Sequence, residues 1–133
     1  MPKLYRVILP VGDIEQAARF YEEVFGAPGR RVSPGRHYFD CEGTILACFD
    51  PRADGDGYTA KPNPELLYFA VSDLAATWAA CRAAGADFST ESPPGVGRLG
   101  EIAKRPWGEE SFYARDPFDN PLCFVSRTSV FTG

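Results

Sequence analysis

Hydrophobic and polar positions change period several times along the chain, and each change marks an element. Residues 4–11 (LYRVILPV) alternate and are rich in β-formers, which predicts a strand whose end, at Pro10, lies at an edge or a bulge. Ile14, Ala17, Tyr21 and Val24 then recur at helical period, with Asp13 placed to cap the helix, Gln16 at capping-box spacing and Gly26 as the stop. A helix over 13–25 is expected. Residues 29–36 are turn-rich and basic, with room for one short strand at 31–33. Residues 37–41 and 44–50 flank Glu42-Gly43 and read as a hairpin.

Residues 51–64 (PRADGDGYTAKPNP) hold almost no large aliphatics and have the composition of a surface linker. After it the pattern starts again. Residues 66–71 form a strand pattern, and Asp73 caps a helix carrying Leu74, Trp78 and Cys81, which Gly85 ends. Asp73 follows Asp13 by 60 residues and Gly85 follows Gly26 by 59. A strand is expected at 86–90, a Pro/Gly loop at 92–100 and a brief strand at 101–104. The last hairpin runs from 111–115 through a turn cluster (Asp116, Pro117, Asp119, Asn120) to 122–125. The fold class is therefore α+β: two tandem βαβββ modules, one amphipathic helix on the outer face of each, whose curved mixed sheets enclose a cavity. The predicted organisation is a single domain over 1–133, with modules at 3–50 and 65–127 joined by the linker.

Composition narrows the function. At 133 residues and 44% hydrophobic the chain can bury one sizeable core, and its net charge of -4, with no clustered Lys and Arg, argues against nucleic acid as a partner. No apolar run approaches membrane-spanning length, and the start, Met1-Pro2-Lys3, leads straight into a strand pattern, so no membrane partner and a cytoplasmic location are expected. The four cysteines form no C-x-x-C pair and read as free thiols. One histidine, His37, is too few for an imidazole-rich metal site, and it reads as structural or exposed.

Strand parity then nominates side chains. If Arg6 faces the hollow so does Ile8, and if Leu66 faces it so does Tyr68, while Val7, Leu9, Leu67 and Phe69 face the helices. On the last hairpin Ser111 and Tyr113 share one face, Phe112 and Ala114 the other. Trp107 either covers the cavity mouth and stacks on a ligand or anchors its loop. Cys123 is either a nucleophile or an inert buried thiol, with no histidine assigned nearby to activate it. Glu101, Glu109 and Glu110 are either solvated surface or a lure for a cationic ligand.

Val7-x-Leu9-x-Val11-x-Asp13, Phe20-Tyr21 ahead of Gly26, Phe69-x-Val71-x-Asp73-Leu74, and Trp107-Gly108 through Asp116-Pro117 to Asn120 together resemble the vicinal oxygen chelate superfamily. That group includes glyoxalase I, extradiol dioxygenases, fosfomycin-resistance enzymes and bleomycin-resistance proteins. The likeness spans about residues 3–127, and the closing hairpin is most like the bleomycin-resistance branch. One departure is Asp119, which stands where glycine is usual in the turn and needs a left-handed backbone there.

The resemblance implies metal-ligand positions seven residues before each helix-capping Asp and on the final strand. Here they hold Arg6, Leu66 and Cys123, and the remaining position, within 45–49, offers no carboxylate or imidazole. No metal cofactor is therefore expected. Arg6 suits an anionic or carbonyl group, or pairs with an acidic residue. In fosfomycin-resistance relatives a tyrosine three residues before the hairpin Asp lines the site, and Tyr113 matches it. The candidate ligand-binding set is Arg6, Ile8, Tyr68, Trp107, Ser111, Tyr113 and Cys123. Two functions follow: a metal-free homodimeric protein that sequesters a small molecule, as bleomycin-resistance proteins do, or a lyase, isomerase or dioxygenase acting on a small carbonyl or aromatic substrate.

Overall fold

The computed structural model describes residues 1–90, 92–94 and 97–133. It divides into two compact units, Met1–Asn63 and Pro64–Gly133. In the first unit the elements are β1 (Arg6–Pro10), α1 (Ile14–Phe25), β2 (Arg30–Ser33), β3 (Arg36–Cys41) and β4 (Thr44–Phe49). In the second they are β5 (Leu67–Val71), α2 (Leu74–Ala84), β6 (Ala103–Lys104), β7 (Glu110–Arg115) and β8 (Pro121–Ser126), followed by a 3-10 turn, Arg127–Ser129. Each unit is one βαβββ module. The sheets have strand orders β1-β4-β3-β2 and β5-β8-β7-β6, so in each the first strand lies parallel to the last and the other pairings are antiparallel.

The helix ends form as their residues dictate. Asp13 accepts the Gln16 backbone N–H at 3.0 Å, and Asp73 accepts that of Ala76 at 3.0 Å. Gly26 and Gly85 terminate the helices with φ of 67° and 92°. Helix α1 buries Ile14, Ala17, Phe20, Tyr21 and Val24. They meet Leu9, Phe39, Leu46 and Cys48, which alternation directs to that face of the sheet. Full burial of a side chain such as Tyr21 or Phe39 contributes about 1.5–3 kcal/mol. In the second module the helix face carries a run of rings: Trp78 on Phe88, Phe88 on Phe112, Phe112 stacked on Phe124, and Phe124 stacked on Phe69.

Turn chemistry sets the register of both hairpins. Glu42 and Gly43 take φ of 52° and 98°, the positive values that a two-residue hairpin connection needs. In the β7–β8 turn the buried Asp116 carboxylate accepts the backbone N–H groups of Phe118 (2.8 Å) and Asn120 (2.9 Å) and the Asn120 side-chain amide (2.9 Å). Asp119 adopts φ 66°, the left-handed value that its place in the turn demands. The D-P-x-D-N motif is thus a structural lock. Pro10 ends β1 on an edge strand, where a missing N–H costs no ladder bond.

One expectation needs correction. Residues 86–90 are not a strand: Asp87 alone bridges Arg115, and its carboxylate turns back onto the Ser89 N–H at 2.9 Å, which halts the ladder. Residues 51–63 belong to the first compact unit, and the turn at 51–55 is tied to β2 and β3 through Asp54. The expected loop at 92–100 lies partly outside the described residues, at 95 and 96. All four cysteines are free thiols. Among the described residues no helix is long and apolar enough to cross a membrane.

Candidate functional site

Cross-strand partners share a face, so pairing places Arg6 and Ile8 (β1), Arg36 and Tyr38 (β3) and Ala47 and Phe49 (β4) together on the side of the first sheet away from α1. A groove of about 770 Å³ opens there. Ile8, Pro10 and Phe49 form its apolar floor, with Pro51 and residues 58–61 as its wall and Arg36 at its edge. That volume lies in the range of small-molecule sites, about 300–1,000 Å³.

Arg36 is held in place from three directions. Its guanidinium carbon stands 4.2 Å from the Phe49 ring centroid, its Nε faces Asp54 Oδ2 at 3.5 Å, and its Nη1 donates to the Tyr38 hydroxyl at 3.3 Å. Asp54 is itself fixed, because Oδ1 accepts the Ser33 hydroxyl and the Gly35 N–H, each at 2.7 Å. Those two bonds, with Arg36 adding its charge, hold the Asp54 carboxyl below the usual carboxylate range. Gly35 is required at this corner, since a Cβ there would run into the Asp50 carbonyl oxygen. From the other edge of the sheet Arg6 Nη1 also donates to the Tyr38 hydroxyl at 3.3 Å. Two guanidinium groups therefore converge on one neutral oxygen.

The equivalent face of the second module is filled by its own chain. Arg105, only 2% exposed, lies over the Tyr113 ring at 5.4 Å. It donates to the carbonyls of Glu101 (2.9 Å), Ser111 (2.9 Å), Leu99 (3.3 Å) and Arg98 (3.4 Å) and to the Ser111 hydroxyl (3.1 Å). The Leu99 carbonyl also accepts the Tyr113 backbone N–H at 2.7 Å. Beneath them Tyr113, Cys123 and Val125 form a packed cluster with Leu66 and Leu99 against it. The Cys123 thiol is hydrogen-bonded by Tyr113 and Ser111; burial pushes it up to about 11 and pushes the Tyr113 phenol up to about 12. Such a thiol carries almost no thiolate near neutral pH.

The residues nominated from the sequence therefore fall into two sets. Arg6 and Ile8 stand on the open face of the first module, Ile8 at 40% exposure. Ser111, Tyr113 and Cys123 are buried on the filled face of the second, beside Tyr68, which pairs with Cys123 in register and is 58% exposed. Trp107 is 43% exposed, and its indole N–H donates to Glu109 at 2.9 Å. Glu101 pairs with Arg98. His37 is buried between Pro28, whose carbonyl lies 2.8 Å from Nε2, and Arg31, which donates to Nδ1 at 3.4 Å. Sequence reasoning missed Arg36, Tyr38 and residues 58–61. The parity that picked Arg6 and Ile8 reaches the first two through the hairpin register. It also missed Arg105, for which no local pattern exists.

Guanidinium, phenol and a high-pKa thiol are unsuited to a hard divalent ion, and among the described residues no three His, Cys, Asp or Glu side chains gather as a metal site.

A βαβββ unit repeated in tandem, each with a parallel outer pair of strands and a single capped helix, defines a class of paired-module proteins. The chain belongs to the Glyoxalase/Bleomycin resistance protein/Dioxygenase superfamily, whose family model matches residues 3–124. No curated protein matches the chain. Among solved structures it is similar to a glyoxalase/bleomycin resistance protein from Albidiferax ferrireducens T118, at 25% identity and a TM-score of 0.70, covering 92% of this chain and 96% of that one. It also shares its fold with a glyoxalase-related enzyme from Fulvimarina pelagi (22% identity, TM-score 0.75, 100% and 94% covered). A third similar structure is the oxidase ChaP-H2 (22% identity, TM-score 0.70, 95% and 94% covered).

Proposed function

We propose that this chain is a small-molecule-binding member of the superfamily, of the bleomycin-resistance-like kind, which holds its ligand without transforming it and works without a metal ion. The observation that carries this reading is Arg6. At the position where metal-using relatives are expected to place a ligand, it shares the Tyr38 hydroxyl with Arg36, so two permanent cations stand where a divalent ion would be repelled. The groove beside them supplies an apolar floor and a few polar groups, which is how small-molecule sites are built. Cys123, the strongest nucleophile candidate, is buried and protonated, which supports binding over covalent catalysis.

The test has two arms. Elemental analysis of protein dialysed against metal-free buffer is expected to find no stoichiometric metal, and a thermal-shift panel of small aromatic compounds is expected to yield ligands recovered unchanged by mass spectrometry. Stoichiometric zinc, iron, nickel or manganese surviving dialysis, or turnover of a bound compound, overturns the reading in favour of a lyase, isomerase or dioxygenase.

A further inference from the structure

From the charges around the groove we infer that the first module selects a small aromatic or apolar carboxylate, with its acid group at Arg6, Tyr38 and Arg36 and its apolar body along Ile8, Pro10 and Phe49. The inference rests on the ligand-binding reading above and gives it a ligand class.

Three observations carry it. Both guanidinium groups reach the Tyr38 oxygen at 3.3 Å, long for hydrogen bonds, and the acceptor is neutral. A carboxylate entering between them replaces two weak bonds by shorter charge-assisted ones, and it also relieves the repulsion of two like charges. The phenol, now free of its acceptor duty, has its own O–H to donate to the same anion.

Further cations stand around the same site. Arg30 faces Tyr38 across the β2–β3 ladder and so shares its side of the sheet, and Lys61 lines the groove. Two neighbouring carboxylates, Asp54 and Asp40, are already engaged. Asp54 is bound by Ser33, Gly35 and the Nε of Arg36, which leaves the Nη edge of that guanidinium toward Tyr38. Asp40 accepts the Gly43 N–H at 2.7 Å within its hairpin turn. A locally positive groove on a chain of net charge -4 is a contrast that favours anions at this site.

The floor sets the rest of the ligand. Ile8, Pro10 and Phe49 expose carbon and ring surface beside the guanidinium groups, so a planar apolar body and an acid group are recognised together. An inorganic anion would use only half of this site.

The test compares three probes of one shape by isothermal titration calorimetry: 2-naphthoate, the neutral 2-naphthylmethanol and the cationic 2-naphthylmethylammonium. Wild-type protein is expected to bind the carboxylate about tenfold or more tighter than the alcohol, as one charge-assisted bond implies, and the ammonium least. Raising sodium chloride from about 0.05 to about 0.5 M should weaken the carboxylate only. Arg6→Gln, at an exposed position, should cost about tenfold for the carboxylate and leave the alcohol unchanged, with Tyr38→Phe between them. Alcohol or ammonium binding as tightly as the carboxylate overturns anion selection but leaves ligand binding standing. Failure of all three probes to bind also overturns the inference, while the broader reading is judged separately by its compound panel and metal content.

Discussion

Replacing Arg105 by methionine tests why the two modules present such different faces. The side chain donates to Glu101 O and Ser111 O at 2.9 Å and to the Ser111 hydroxyl at 3.1 Å, while almost wholly buried. Methionine keeps most of the volume, so the loss is chiefly hydrogen bonding. Bonds from a charged donor contribute about 1.5–3 kcal/mol each, and the freed carbonyls regain some water once the loop loosens. The two shortest bonds set an expected loss of about 3–5 kcal/mol, a large share of a stability of about 5–15 kcal/mol. At about 3–5 °C per kcal/mol for a chain of this length, thermal unfolding followed by circular dichroism should shift down by about 10–20 °C. Arg105→Lys keeps the charge without the planar fork and should recover only part of the loss. A second readout separates the mechanism from general destabilisation. Because Leu99 packs on the Cys123 cluster and Arg105 holds the Leu99 carbonyl, N-ethylmaleimide should label the Cys123 peptide much faster in the methionine variant under native conditions, with labelling of Cys48 unchanged. A shift below about 2 °C with Cys123 still protected would refute the claim that Arg105 holds residues 98–105 on the sheet.

Other expected outcomes follow from the same geometry. Cys123 should make stability fall at alkaline pH. With its native value raised to about 11 from an ordinary value near 9, the folded state keeps a proton that the unfolded chain gives up, so the contribution is full below about pH 9 and disappears as pH rises through about 11. That gap corresponds to about 3 kcal/mol, and Cys123→Ser should flatten the fall in denaturant midpoint between those limits; parallel profiles would remove Cys123 from the account. Gly35→Ala drives a methyl into the Asp50 carbonyl and should destabilise by about 1–3 kcal/mol in urea titrations, with naphthoate binding weakened as the Asp54–Arg36 contact shifts. Asp13→Ala and Asp73→Ala each remove a helix cap of the same geometry and should each cost about 1 kcal/mol, and a cost confined to one of them would break the equivalence of the two modules.

Local chemistry was enough for most of the architecture. Asp13 and Asp73 as caps, Gly26 and Gly85 as stops, Glu42-Gly43 as a hairpin turn and Asp119 as a left-handed residue all act within a few neighbours, so their residue types alone specify them. The repeat of that pattern at a spacing of about 60 residues is what made two βαβββ modules legible, and two-residue alternation sorted Leu9 and Phe69 from Ile8 and Tyr68. Where long-range contacts decide, local pattern has nothing to report. Residues 86–90 have strand composition, yet the Asp87 carboxylate accepts the Ser89 N–H and the ladder stops at one bridge. Composition gives residues 51–64 a linker pattern, and it has no means of showing that Ser33 and Gly35 bind Asp54 or that Pro51 and residues 58–61 line the groove. The contrast between an open face with Arg6, Tyr38 and Arg36 and a face filled by Arg105 depends on side chains up to 32 positions apart meeting in space, and only the tertiary structure brings them together.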